Sequence, residues 1–146
     1  MPSSTIGRAL AAILAAAAAL VPAAEAESLS SALVLCGGGV SINCVVDGDT
    51  IDVSGVRIRM IDYDAPEIGK SKCAREHALG EKAKVRLRDL LNAGPIGIEP
   101  SGSRDEDKYG RKLRLVTLNG QSVGDILIAE GLAWPWQGRR HDWCRP

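Results

Sequence analysis

The sequence predicts a mainly β, α+β domain: a five-stranded OB-type barrel with helices, in the order β-β-β-α-β-β-α. Three observations point to it. Short β-branched segments separated by tight-turn residues open the domain. One long stretch of helical period follows, and two further strand patterns with a second short helical pattern close it. The order of elements alone also fits an open α+β sheet.

Each element has its own signal. Residues 42–46 and 50–53 are short and β-branched, with Asp47-Gly48 as turn chemistry between them. Ser54-Gly55 makes the next turn. VRIRM (56–60) then alternates, which predicts Val56, Ile58 and Met60 on one face and Arg57 and Arg59 on the other. Pro66 stops this run after Asp64-Ala65. Residues 74–92 change period: Leu79, Ala83, Leu87, Leu90 and Leu91 fall at helical spacing, and Asn92-Ala93-Gly94-Pro95 ends the helix. IGIE (96–99) is a short strand, 101–111 an exposed charged loop, and KLRLVTL (112–118) a strand closed by the turn Asn119-Gly120. Ser122 is placed to cap a second helix over 123–133, whose apolar face is Val123, Ile126, Leu127 and Leu132. The tail WPWQGRRHDWC carries all three tryptophans.

The 146 residues amount to one domain. Residues 1–26 carry Arg8, then an alanine-rich apolar run, then the small-x-small site Ala24-Glu25-Ala26. That is the pattern of a secretory signal peptide, and it implies a secreted or periplasmic protein with no membrane association after cleavage. An uncleaved membrane anchor is the other reading of the same run. Residues 27–40 read as a linker and 41–146 as the domain. The formal charge is zero, and loss of Arg8 and Glu25 leaves it so. Bulk electrostatic capture of nucleic acid is therefore excluded, while a local cationic cleft is not. Cys36, Cys44, Cys73 and Cys144 make an even count in an exported chain, which points to two disulfides. Zinc is the rival, but no C-x2-C pair supports it. Of the three connectivities, the reading taken here closes CGGGVSINC as Cys36–Cys44 and leaves Cys73–Cys144 to tie the tail to a helix. A monomer is the default.

The chemistry lies in the acids and arginines. Asp47 and Asp49 share one side of an extended chain. Asp64 and Glu67 flank Pro66, where the Ala65 carbonyl can also point outward. Neither cluster holds a histidine or cysteine, so an oxygen-only site for Ca²⁺ or Mg²⁺ is favoured. Arg59 and Arg111 offer the planar fork that suits phosphate. Taken singly, these residues read as turn chemistry and surface ion pairs; together they read as a site.

VVDGDT, RMIDYDAPE, DKYGRKL and GDILIAEGLA, in that order from about Cys44 to Ala133, resemble the successive signatures of the thermonuclease (staphylococcal nuclease-like) family. DGDT alone is weak; with R-x4-D-x-P-E and K-Y-G-R at these distances the resemblance is specific. It implies an OB barrel with helices, of the SNase-like type. It implies Asp49, Asp64 and the Ala65 carbonyl as Ca²⁺ ligands, with Asp47 behind them. Glu67 is implied as the acid associated with the attacking water, Arg59 and Arg111 as the phosphate-clamping arginines, and Lys108 and Tyr109 as substrate contacts. The implied activity is hydrolysis of DNA and RNA with little sequence preference, leaving 3′-phosphate ends. The alternative is a non-catalytic OB-fold module that binds nucleic acid or protein. The chain departs from the family's pattern after Ala133, where Trp134–Pro146 replaces a third helix.

Overall fold

The computed structural model describes residues 32–37, 39 and 42–146, so the signal-peptide reading of residues 1–26 lies outside the described residues. The elements run β1 (Val34–Leu35), β2 (Cys44–Asp47), β3 (Thr50–Val53), β4 (Val56–Met60), β5 (Tyr63–Asp64), α1 (Ala74–Leu91), β6 (Ile96–Pro100), β7 (Lys112–Leu118), β8 (Gln121–Ser122), α2 (Val123–Ala129) and β9 (Trp134–Pro135). The expected strands are β2, β3, β4, β6 and β7, and the mainly β, α+β class holds. The main sheet is mixed, in the order β1-β2-β3-β4-β7-β6 with β8 on β7, while β5 pairs separately with β9. Among the described residues these pairings form an open path from β1 to β6.

Register decides which side chains meet. In the β3–β4 hairpin Thr50 lies opposite Arg59. Its turn uses Ser54 and Gly55, both at positive φ, the mirror-image turn whose twist suits a two-residue hairpin. β4 then runs parallel to β7, with Ile58 opposite Lys112 and Arg59 opposite Leu113. Asp49 and Arg59 therefore meet at the open end of the β3–β4 hairpin, and Arg111 enters beside β4 just before β7, although 62 residues separate it from Asp49 in sequence.

The core sits between the sheet and the helices. Val45, Ile51, Ile58 and Met60 from the sheet meet Leu87, Leu90 and Leu91 of α1 and Val123 and Leu127 of α2. Each fully buried side chain of this kind contributes about 1.5–3 kcal/mol. Cys73 caps α1, its sulfur accepting from the Glu76 N–H. Ser122 caps α2 as expected, its hydroxyl accepting from the N–H groups of Gly124 and Asp125.

Two expectations change. The second helix ends at Ala129 instead of Ala133, because Gly131 takes a left-handed φ of 74° and turns the chain into β9. The stretch expected to be a linker is, where described, part of the fold. Leu33 is buried, both its N–H and its C=O are bonded by the Asn92 amide, and β1 lies parallel to β2. Arg59, on the face of β4 opposite Ile58 and Met60 as expected, is only 8% exposed. The alternation is sound, but β5 and the tail cover the other face at this end of the strand.

Two glycines are required by close approach. At Gly48, within DGDT, a Cβ would lie 2.7 Å from the Cβ atoms of both Ala65 and Ala83, so the turn packs directly on α1 and on the segment after β5. At Gly124 a Cβ would lie 2.4 Å from Cδ1 of Tyr63, whose buried ring has no room to retreat. Gly124→Ala should therefore lower stability by about 1–3 kcal/mol, the usual cost of overpacking, read as a shift in the urea midpoint.

Candidate active site

The site starts from the turn between β2 and β3. Asp47 accepts from the Asp49 N–H at 3.1 Å and so shapes the turn. Burial, then the neighbouring charge of Asp49, pushes the Asp47 carboxyl up to about 7. Asp49 points inward: its Oδ1 accepts from the Thr50 hydroxyl and its Oδ2 from the Ala65 N–H. Tyr63 supports the turn from below, donating its hydroxyl to the Gly48 carbonyl at 2.8 Å. Burial, then the charge of Asp49, holds that phenol well above its ordinary range, so it stays a donor.

Arg59 organises the centre. Its Nη1 donates to the carbonyls of Met60 and Tyr63. Its Nη2 lies 3.1 Å from Asp49 Oδ2 and 3.6 Å from Asp64 Oδ1. Two carboxylates from separate turns thus converge on one nitrogen. Asp64 is 1% exposed, and its Oδ2 accepts from the His141 N–H and the Trp143 indole N–H. Its Oδ1 is buried and accepts no hydrogen bond. A buried carboxylate oxygen left this way needs cationic partners, and the guanidiniums of Arg59 and Arg140 lie 3.6 and 3.4 Å from it.

Glu67 follows two residues after Ala65, half-buried at the edge of the same cluster. Glu76 fixes its backbone: this carboxylate, 4% exposed, accepts from the N–H groups of Lys72 and Glu67. Arg111 reaches the site through the loop 105–111. Asp107 accepts there from the N–H groups of Tyr109 and Arg111 and from the Arg111 guanidinium at 2.6 Å. Burial opposes ionisation of Asp107, but these hydrogen bonds outweigh it and hold the carboxyl below its ordinary value. A cavity of about 400 Å³ has Arg59, Arg104, Asp107, Arg111 and Trp136 in its walls. The Arg59 guanidinium lies 5.8 Å from the Trp136 ring centre.

The structure therefore brings Asp49, Arg59, Asp64, Ala65 and Glu67 together, with Asp47 behind Asp49 and Arg111 lining the same cavity as Arg59. It does not bring Lys108 and Tyr109 into the cavity walls. Tyr109 is 72% exposed on the loop, its ring flanked by Lys108 and Arg111. Arg57 stands apart in a surface ion pair with Asp52. Asp62 accepts from the Ser122 hydroxyl, joining the end of β4 to the start of α2. Sequence reasoning missed Glu76, Arg104, Asp107 and Arg140. Asp107 had a signal, an aspartate opening a tight turn that Gly110 completes. Glu76 had a weaker one, an acid at the third position of a capped helix. Arg104 and Arg140 had none. Both cysteine pairings hold: Cys36–Cys44 and Cys73–Cys144 are disulfides with Cα separations of 5.0 and 5.9 Å. The zinc alternative falls with them.

Fold and site together define a small α+β protein with a carboxylate–arginine cleft suited to an anionic ester. The chain belongs to the staphylococcal nuclease homologue family, whose model matches residues 57–143. That match begins after DGDT, so Asp47 and Asp49 join the matched region through the β3–β4 register and the Asp49–Arg59 pair. Endonuclease YncB of Bacillus subtilis (strain 168) is 37% identical over 99 residues, covering 64% of this chain and 46% of that protein. Micrococcal nuclease of Shigella flexneri is 33% identical over 106 residues, covering 64% and 55%. Protein ParB of Escherichia coli is 31% identical over 113 residues, covering 67% and 58%. The chain thus spans about half the length of these relatives.

Proposed function

We propose that this protein is a Ca²⁺-dependent nuclease, secreted or periplasmic after loss of residues 1–26. It hydrolyses phosphodiester bonds of DNA and RNA with little sequence preference and leaves 3′-phosphate ends. The observation that carries the reading is the convergence of Asp49 and Asp64 on Arg59, with a buried Asp64 oxygen free of hydrogen bonds, at the wall of a cavity shared with Arg111. Family membership and the printed names of the relatives support it.

The donors fit a hard divalent cation, since they are all oxygens: Asp49, Asp64 and the Ala65 carbonyl. Ca²⁺ takes six to eight oxygens, so water and substrate would complete the shell. When bound, the ion supplies positive charge against the phosphoryl group. The chain's own residues do the rest. Arg59 and Arg111 line one cavity, where they neutralise the non-bridging oxygens as charge builds at phosphorus. Glu67 accepts a proton from a water held near its carboxylate. Asp47 and Glu76 position Asp49 and Glu67 through backbone N–H groups.

The test uses the chain from residue 27 onward, incubated with plasmid, single-stranded DNA or RNA in Ca²⁺ or chelator. Cleavage should require Ca²⁺ and fall by about 10²-fold or more in Glu67→Ala, in line with other general bases. Products should be extended by a polymerase only after phosphatase treatment. Retardation of nucleic acid without cleavage would instead favour the binding module.

A further inference from the structure

Arg140, in the segment that follows β9, lies across the site. Its Nη2 donates to the Ala65 carbonyl at 3.0 Å and lies 3.4 Å from Asp64 Oδ1. Its Nη1 lies 2.7 Å from Glu67 Oε1. These are the oxygens that the proposed function gives to the cation and to the attacking water. A guanidinium and a divalent ion cannot occupy them together.

The contact is built by the surrounding chain. β9 pairs with β5, putting Trp134 opposite Asp64. The Trp136 N–H donates to the Asp62 carbonyl. On the far side of Arg140, His141 and Trp143 donate to Asp64, and Cys144 is bonded to Cys73 at the start of α1. The backbone is thus fixed on both sides of Arg140, over the segment that carries the site. The two cations near Asp64 differ in mobility. The Arg59 side chain is 9% exposed and holds two backbone carbonyls, whereas the Arg140 side chain is 43% exposed and can swing out without opening the core.

We propose that Arg140 is a built-in competitor for the divalent-cation position. It holds Asp64, Ala65 and Glu67 until the metal displaces it, and so sets the metal concentration at which the site is occupied. The inference rests on the metal reading above. Removing a unit charge within hydrogen-bond reach of these acids should tighten divalent binding by about tenfold or more, even with substantial solvent screening.

The experiment measures binding, not turnover. Ca²⁺ is titrated calorimetrically, and Tb³⁺ by luminescence sensitised through Trp143, into the wild-type chain from residue 27, Arg140→Ala and Arg140→Gln. Arg140→Gln keeps the apolar stem and a neutral polar end, so it serves if Arg140→Ala does not fold; circular dichroism checks both. The double variant Cys73→Ser/Cys144→Ser releases the tether and should tighten binding in the same direction by a smaller factor. Tighter binding in the Arg140 variants supports the competition. Equal or weaker binding overturns it and leaves the metal site standing. No binding of either ion by wild type and variants alike overturns the metal reading and the inference with it.

Discussion

Arg59→Ala is expected to lose nuclease activity by about 10²–10³-fold and stability by about 3–5 kcal/mol, while Arg111→Ala loses activity on the same scale with a stability change of about 1 kcal/mol or less. The two arginines line one cavity, and the proposed function has each stabilise charge on the same phosphate. Their burial separates them. Arg59 is the shared partner of Asp49 and Asp64 and donates to two backbone carbonyls, so its removal strands two buried carboxylates and two acceptors at once. Arg111 pairs with Asp107 near the surface, its side chain 29% exposed, and solvent can replace it. Arg59→Lys should recover part of the stability but little activity, because one ammonium cannot span all four acceptors. Urea unfolding read alongside plasmid cleavage checks the contrast. Equal destabilisation by Arg59→Ala and Arg111→Ala would contradict the central position given to Arg59.

Local chemistry made much of the fold readable in advance. The strand 112–118, the long helix, the Ser122 cap and the two-residue turns each depend on neighbours within a few residues. The site depends on distant pairings, and there the reading was partial. Arg59 and Arg111 line one cavity because β4 runs parallel to β7, a pairing that periodicity does not encode. Arg59 is buried because β5 and the tail cover the second face of β4, whereas alternation alone says only which residues share that face. Arg140 is 75 residues from Ala65, and they are brought together by the β5–β9 pairing, the hydrogen bonds of His141 and Trp143 to Asp64 and the Cys73–Cys144 bond. Motif spacing pointed to the residues of the site; the tertiary contacts of the tail lay beyond it.

Those tail contacts give the second large effect. Replacing Cys73 and Cys144 together by serine should cost about 4 kcal/mol, against about 2.5 kcal/mol for the same change at Cys36 and Cys44. The difference follows from loop length, since the first bond spans 71 residues and the second 8. Closing the longer loop removes more freedom from the unfolded chain. Serine is the right replacement at position 73, because that side chain also caps α1 and a hydroxyl is a good acceptor there. The loss is then assignable to the bond rather than to a broken helix end. About 4 kcal/mol is a large share of the 5–15 kcal/mol that holds a domain of this size, so the urea midpoint should move far to the left. Reduction of the wild-type chain should reproduce the sum of the two losses. If the two double variants unfold at the same urea concentration, loop closure is not what the Cys73–Cys144 bond contributes. Its role would then lie in keeping Trp143 and Arg140 against Asp64.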